Sequence, residues 1–393
     1  MATPETIAHN VEQLTAGLTQ FFERARTYAD KRVIQMSEPP VLPPNVQNNL
    51  TWLKDLNLLE FLRTVGFHSR VNTMLARESV QARLASQQGI SFTEFTYQLL
   101  QAYDFLMLYK KFGCTVQIGG SDQWGNIIAG IDLINRTNSA PGTAEDGIVE
   151  KGFGVTTPLL TTASGEKFGK SAGNAVSLNE ADTSVYDFYQ FFLRTADADV
   201  ERYLRMLTLV APDEIRDLIA KHECSPEARL AQKRLAEEVT ELVHGADGVR
   251  RAKLATKLLY ERDIADATIG DVLLALEGNP VMHLCGSSEV LDAPLVKLAA
   301  AYGLAASNST WRPHAHHLRL EHPVDEGLTM SLGLTGAARQ LVSAKGLYLN
   351  NAPVSDVRQK LTAADFINGQ VVFLRAGSQK QAVIGVHEPV QRG

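Results

Sequence analysis

The sequence predicts an α/β protein: an incomplete parallel sheet in the first half, a long helical stretch after it, and a small α/β piece at the end. Three observations predict this. The first 200 residues offer only two or three convincing strands, whereas a doubly wound sheet usually needs about five or six, buried on both faces. Beyond residue 200 the apolar residues recur at three- and four-residue steps. From Gly327 to Val386 two short helical signals give way to two strand-like runs. The chain has 393 residues, so two or three domains are expected. With 45% hydrophobic and 21% charged residues it has the composition of a folded globular protein, which excludes dominant disorder.

The elements follow in order. Ile7, Val11, Leu14, Leu18 and Phe21 place residues 5–30 on an amphipathic helix. Four prolines make Glu38 to Pro44 a loop. Leu53 to Tyr109 is mostly helical. Cys114 to Ile118 is a short buried strand ending in Gly119-Gly120, and Trp124, Ile127, Ile128 and Ile131 give the next helical face. Asn138 to Gly147 reads as a surface insertion, Phe153 to Leu160 as a strand, and Thr161 to Asn174 as a Gly/Ser-rich loop. Pro212 to Tyr260 is helical, with Leu230, Leu235, Val239, Leu242 and Val243 in one stripe, and helical signals continue to Tyr302. Leu304 to Pro323 reads as a linker. Gly346 to Asn350 and Gln370 to Arg375 are the strands of the tail.

Several function classes fall away. The net charge of −6 argues against a protein held to nucleic acid by bulk positive charge. Nothing approaches the roughly 18 uninterrupted apolar residues of a membrane helix. The N-terminal ten residues have no apolar core and carry Glu5, so they read as neither a secretory signal nor a transit peptide. Cys114, Cys224 and Cys285 are odd in number and widely spaced, which fits a reducing compartment. The histidines at 314, 316 and 317 lack metal-ligand partners at useful spacing. No GxSxG supports a serine hydrolase.

Three segments carry chemistry. On the helix from Phe95 to Tyr109, Tyr97, Gln101 and Asp104 fall within about 60° of one another, opposite Phe95, Leu99, Ala102, Leu106 and Tyr109. The stripe is either a solvated face or a polar pocket that grips an amine and a hydroxyl. Gln117-Ile-Gly-Gly-Ser-Asp-Gln-Trp-Gly-Asn126 follows a strand and opens a helix, where glycines let a ligand approach and helix N–H groups meet phosphate or ribose. Asp122 there could equally be a helix cap. Lys167-Phe-Gly-Lys-Ser171 puts two lysines on a loop, either simply exposed or able to meet charge developing during phosphoryl or adenylyl transfer. A Walker A loop is excluded, because it needs glycine where Ser164 stands.

In this order and at these distances the segments resemble the bacterial-type tyrosyl-tRNA synthetases, class I aminoacyl-tRNA synthetases. The matching text is Ser91-Phe-Thr-Glu-Phe-Thr-Tyr97, Leu100-Gln-Ala-Tyr-Asp-Phe105, Gln117 to Asn126, and Lys167 to Ser171, which is similar to the family's Lys-Met-Ser-Lys-Ser loop. Ser171-Ala-Gly-Asn-Ala-Val176 and Gln232 to Thr240 resemble the mitochondrial branch. The likeness is strong from Asn48 to Tyr260, moderate in the first 40 residues and the tail, and slight over 265–325. It implies a Rossmann-like class I catalytic domain over 1–200, an α-helical anticodon-binding domain over 201–303, a linker over 304–325 and an S4-like RNA-binding domain over 326–393.

The resemblance also assigns roles. Tyr97, Gln101, Asp104, Gln117, Gln123 and Asn49 would bind tyrosine: Tyr97, Gln101 and Gln117 around its ammonium, Asp104 on its phenol. A site built to bond a hydroxyl rejects the analogue lacking it, which in this family reaches about 10⁵-fold. Gly120 and Asp122 would contact adenosine. Lys167, Lys170 and Ser171 form the signature loop, with both lysines stabilising the pyrophosphate and Lys170 also holding ATP. Mg²⁺ would accompany ATP without a dedicated cage. The implied partners are L-tyrosine, ATP, tRNA(Tyr) and a second copy of the chain meeting near Phe92, with no membrane. The compartment would be the mitochondrial matrix, or the cytoplasm for a bacterial protein.

The family's His-Ile-Gly-His-type signature, H-x-G-H, occurs nowhere in the chain. The resemblance places that turn, and the strands around it, before Met1. Lys167 and Lys170 cannot replace the ATP half-site it carries, so weak tyrosine activation by this polypeptide alone is expected. Two other readings stay open: a non-catalytic binder of tRNA or intron RNA using residues 200–393, and a different adenylate-forming enzyme.

Overall fold

The computed structural model describes residues 3–32, 43–85, 89–138, 151–162, 165, 176–261, 264, 268–276, 279–304, 331–377 and 380–390. They fall into two compact units, Asn45–Ala175 and a larger one made of Met1–Pro44 with Val176–Gly393. Helix α1 (Pro4–Asp30) opens the larger unit. Thr3 Oγ1 accepts from the Thr6 N–H, and Pro4 fills the first turn, where a missing N–H breaks no bond. Tyr28 on this helix is buried, while Ile7, Leu14 and Leu18 stay exposed.

The smaller unit contains α2 (Leu50–Leu53), α3 (Leu58–Thr64), α4 (Val71–Leu75), α5 (Glu78–Ala85), α6 (Phe92–Phe112), β1 (Val116–Gly120), α7 (Trp124–Asn138) and β2 (Phe153–Thr157). Helix α6 is defined at both ends by its own sequence. Ser91 and Glu94 form a reciprocal capping box, and Gly113 ends the helix at φ 65°, a conformation that favours glycine. Its Ala102, Phe105 and Leu106 pack with Val65, Leu133 and Ile134. Gly130 lets α7 come close, because a Cβ there would lie 2.8 Å from Phe105 Cδ1. Strands β1 and β2 pair in parallel, Val116 opposite Phe153 through Gly120 opposite Thr157, with α7 as their connection. The strand expected to reach Leu160 ends at Thr157. The expected insertion lies almost wholly outside the described residues.

The larger unit continues with α8 (Val185–Leu193), α9 (Asp197–Leu207), α10 (Pro212–Cys224) and α11 (Leu230–Thr256), the last broken at Gly245, which takes φ 75° and ψ 177°. Glu238 on α11 is a buried polar hub. Its carboxylate accepts from Tyr28 Oη (2.6 Å) and Arg32 Nε (2.7 Å), and Arg234 Nε lies 3.0 Å away. After α12 (Ile269–Leu276) come β3 (Met282–Cys285), α13 (Ser287–Val290), α14 (Leu295–Ala301), α15 (Ser331–Ser343), β4 (Leu347–Leu349), β5 (Ala352–Pro353), β6 (Val371–Ala376) and β7 (Lys380–Val386). The sheet runs β3-β7-β6-β4-β5, parallel only between β3 and β7. Alternation splits its side chains between two cores. Val372, Leu374 and Ile384 face the core shared with α14 and α15, while Val371, Phe373 and Val383 face the core shared with α11 and α12.

One expectation changes. Helical signals do not run unbroken to Tyr302: Met282–Cys285 is a strand, bounded by Asn279-Pro280 and Gly286 and held by β7 about a hundred residues later. By contact, Met1–Pro44 and Val176–Gly393 form one unit. Position 200 falls inside α9, α1 packs on α11, and β3 to α14 build the C-terminal sheet and its core. Leu304, the first residue of the expected linker, is buried in the C-terminal core, and the rest of that stretch, histidines included, lies outside the described residues. Among the described residues, no helix is long and apolar enough to cross a membrane.

Candidate active site

The polar stripe of α6 sits on the side away from its packed core. Gln101 and Asp104 are half-buried, and Tyr97 is 50% exposed. Asp104 is held from two directions: Trp52 Nε1 donates to Oδ1 at 2.7 Å, and Asn49 Nδ2 donates to Oδ2 at 3.1 Å. Both donors come from one helical turn, Asn49 capping α2 and Trp52 lying three residues on, its ring buried. The carboxylate is therefore fixed in orientation and keeps lone pairs for a further donor.

A cavity of about 360 Å³ opens beside it, lined from α6 by Gln101, Asp104, Phe105 and Leu108 and from β1 and the residues before it by Cys114, Val116, Gln117 and Ile118. Its walls pair apolar surface with three polar side chains. Gln117 Oε1 is buried and has no hydrogen-bond partner among the described residues. Such an acceptor is costly to leave unpaired and is met when a ligand brings an N–H.

Strand β1 leads into a 3₁₀ turn, Ser121–Gln123, and then α7. The glycines leave room for neighbouring side chains. A Cβ on Gly119 would lie 3.2 Å from Ile127 Cδ1, and one on Gly120 would lie 2.6 Å from Asp122 Oδ1. Gln123 Nε2 donates to Asp122 Oδ2 (3.2 Å), and Asn126 Nδ2 donates to Gln123 Oε1 (3.2 Å).

Gln101, Asp104 and Gln117 thus share one cavity, and Asn49 joins through Asp104. Tyr97 does not line it; two turns toward the start of α6, it opens on a neighbouring cavity of about 180 Å³ with Arg77, Arg83, Glu94 and Gln98. Asp122, Gln123 and Gly120 form the turn beyond β1. Lys167, Lys170 and Ser171 lie outside the described residues. Trp52 escaped the sequence reading. Its position three residues after Asn49, in a helix facing a polar stripe, is the signal that could have found it.

Residues 8–261 match the family described as tRNA synthetases class I (W and Y). The chain belongs to the class I tRNA synthetases. Within that family it is 38% identical over 385 residues to the tyrosine–tRNA ligase of Roseiflexus castenholzii, covering 98% of this chain and 79% of that one. It is 39% identical over 343 residues to the tyrosine–tRNA ligase of Geobacillus stearothermophilus, covering 87% and 72%. A C-terminally truncated mitochondrial tyrosyl-tRNA synthetase from Aspergillus nidulans superposes with a TM-score of 0.57 at 34% identity, over 66% of this chain and 70% of that chain. As a class I synthetase the protein is a ligase that uses ATP as substrate. These relatives carry the names of enzymes, which favours the catalytic reading over a purely RNA-binding one.

Proposed function

We propose that this synthetase activates L-tyrosine with ATP and transfers it to tRNA(Tyr). The observation that carries the reading is Asp104, oriented by Trp52 and Asn49 on the wall of a cavity shared with Gln101 and Gln117. The tyrosine phenol donates to Asp104 while its ring lies along Leu108 and Ile118. Phenylalanine would desolvate that carboxylate without bringing the further donor that the phenol supplies beside Trp52 and Asn49, which is how such a site discriminates. The ammonium donates to Gln117 Oε1 and Gln101, with Tyr97 farther out.

The tyrosine carboxylate oxygen then attacks the α-phosphorus of ATP. The new P–O bond forms as the bond to the β-phosphate oxygen breaks, and pyrophosphate leaves. No covalent enzyme intermediate is needed, since positioning and charge stabilisation carry the step. Gly120 and Asp122 hold the adenosine, and Lys167, Lys170 and Ser171 attend the phosphates. A ribose hydroxyl at the tRNA end next attacks the activated carbonyl, and AMP leaves. Among the described residues no three His, Cys, Asp or Glu side chains converge on a metal position. Mg²⁺ would accompany ATP on its phosphates.

The homodimer that the resemblance implies would cover side chains such as Phe92, which is 80% exposed on the smaller unit. The helices after residue 200 take the anticodon arm, and the C-terminal α/β part takes tRNA by shape and phosphate. Likeness to a mitochondrial synthetase favours the mitochondrial matrix. The test is tyrosine-dependent ATP–pyrophosphate exchange together with tyrosine binding by equilibrium dialysis. Asp104→Ala should lower tyrosine kcat/KM by roughly a thousandfold, from loss of a hydrogen bond to a charged, desolvated group and of the geometry around it. Unchanged amino-acid choice in Asp104→Ala would remove tyrosine from the proposal.

A further inference from the structure

We propose that Arg77 is a positioning residue of this site, which sets the side-chain amides of Asn126 and Gln123 through a directed chain of hydrogen bonds ending on Asp122. The inference rests on the function proposed above and adds to it a residue outside the predicted site. Arg77 lies in the turn between α4 and α5. Its Nη1 donates to Asn126 Oδ1 at 3.1 Å. Asn126 Nδ2 donates to Gln123 Oε1, and Gln123 Nε2 donates to Asp122 Oδ2, each at 3.2 Å.

The ends of this chain decide its direction. A guanidinium only donates and an ionised carboxylate only accepts, whereas each amide between them can turn either way. With Arg77 at one end, Asn126 must present its oxygen to Arg77 and its NH₂ to Gln123. Gln123 must then present its oxygen to Asn126 and its NH₂ to Asp122. Asn126 is only 8% exposed, so water is poorly placed to substitute for either neighbour. Asp122 alone still turns the Gln123 oxygen toward Asn126; what Arg77 adds is the one donor on Asn126 Oδ1, and without it that buried amide is left with an unpaired oxygen and the chain of bonds is held from one end only.

The position of Arg77 is not electrostatically comfortable. Its guanidinium lies over Gly125, at van der Waals distance from where a Cβ would be (3.5 Å to Nη1), in the first turn of α7. That is the positive end of the helix dipole, which disfavours a cation. Burial also works against its charge, opposed by nearby Tyr97 and Asp132. Arg77 is thus half-buried against a repulsive helix end, between Tyr97 on α6 and the Asp122–Gln123 turn. A surface arginine serving solubility has no reason to sit there.

The test uses the full chain with three variants, Arg77→Ala, Gln123→Ala and the double variant, alongside Arg77→Lys. In ¹⁵N-labelled protein the side-chain NH₂ signals of Asn126 and Gln123 should shift and lose exchange protection in Arg77→Ala, with the thermal midpoint recording any general loss of fold. In pyrophosphate exchange, Arg77→Ala should raise KM for tyrosine or ATP about tenfold, with a smaller change in kcat. Arg77→Lys should recover only part, since an ammonium lacks the planar fork. In the Gln123→Ala background the further loss from Arg77→Ala should nearly vanish, the mark of a residue acting through another. Equal losses in both backgrounds, or unmoved Gln123 signals in Arg77→Ala, overturn the proposal. Absence of tyrosine binding by the unaltered chain would instead overturn the function above, and the amide signals would still decide the chain of bonds.

Discussion

The two sheets of this molecule are built from similar residues and treated in opposite ways. In the C-terminal sheet all six residues of β6 are buried, and β7 is buried from Ala382 to Val386. Helices cover both faces. In the smaller unit Ile118 is 68% exposed and Phe153 57%, and among the described residues α7 packs on the β1–β2 pair while these side chains stay uncovered. The first sheet is a platform whose side chains are consumed by packing. The second keeps apolar surface and unpaired polar atoms free, and the candidate cavity lies along it. A sheet saturated by its own helices has nothing left to offer a substrate.

Breaking the platform should therefore be the most damaging single change to stability. Ile384 is fully buried between β3 and β6 in the core shared with α14 and α15. Ile384→Ala should cost about 3–4 kcal/mol, the transfer loss plus the cavity left behind. Chemical denaturation measures it. A loss below 1 kcal/mol would mean that this sheet is loosely packed, and the contrast would fail.

A buried titratable group in the same unit gives a pH test of similar kind. His244 is 4% exposed, stands edge-on to Phe188 at 4.6 Å, and has Nδ1 3.4 Å from Glu180 Oε1. Glu180 is also approached by Arg24 (3.3 Å) and Arg251 (3.5 Å). Burial pushes the imidazole down to about 4, only partly opposed by Glu180, and Arg24 adds to the depression. Below its ordinary value near 6.5 the unfolded chain takes up a proton that the folded chain refuses. Stability is then complete above pH 6.5 and falls as pH drops toward 4, by up to about 3 kcal/mol. The denaturation midpoint should decline over that window, and His244→Phe should flatten the decline. A slope identical in both proteins would assign it to other groups.

In the smaller unit the effects should appear in binding more than in folding. Trp52→Phe keeps the buried ring and removes the N–H that orients Asp104. Tyrosine affinity should weaken about tenfold, the worth of one hydrogen bond to a charged group, with the denaturation midpoint little changed. Equilibrium dialysis with tyrosine reads the difference directly. Unaltered affinity would show that Asn49 alone suffices to orient the carboxylate.

How far such features can be read from sequence depends on whether they are local. The 100° step placed Gln101 and Asp104 on one face of α6, and Ser91, Glu94 and Gly113 mark its ends, because capping and periodicity are settled within a few residues. Strand β3 was hidden, since Met282–Cys285 has no strand signal strong enough to stand apart from its helical surroundings and becomes a strand by pairing with Met282 opposite Val383. Tyr97 shares the stripe yet opens on another cavity, because where β1 lies along α6 is a tertiary fact. The Trp52 indole N–H is invisible to hydropathy, which counts the ring as apolar. Arg77 is harder still: its meaning lies in the order of donors and acceptors across three other residues.

The smallest expected effect is the one that sharpens the contrast most. Ile118 points away from the packed face of β1 and lines the candidate cavity. Truncating it removes little that folding had buried, so Ile118→Ala should change stability by no more than about 0.5 kcal/mol, against the several expected at Ile384. If the aromatic ring of the substrate lies on it, the same change removes apolar surface that binding would bury. Tyrosine affinity should then fall several-fold, at about 25 cal/mol per Å² of lost contact. The two measurements need to part company. A large stability loss would make β1 a packed strand like those of the platform, and a neutral result in both would take the ring away from this face.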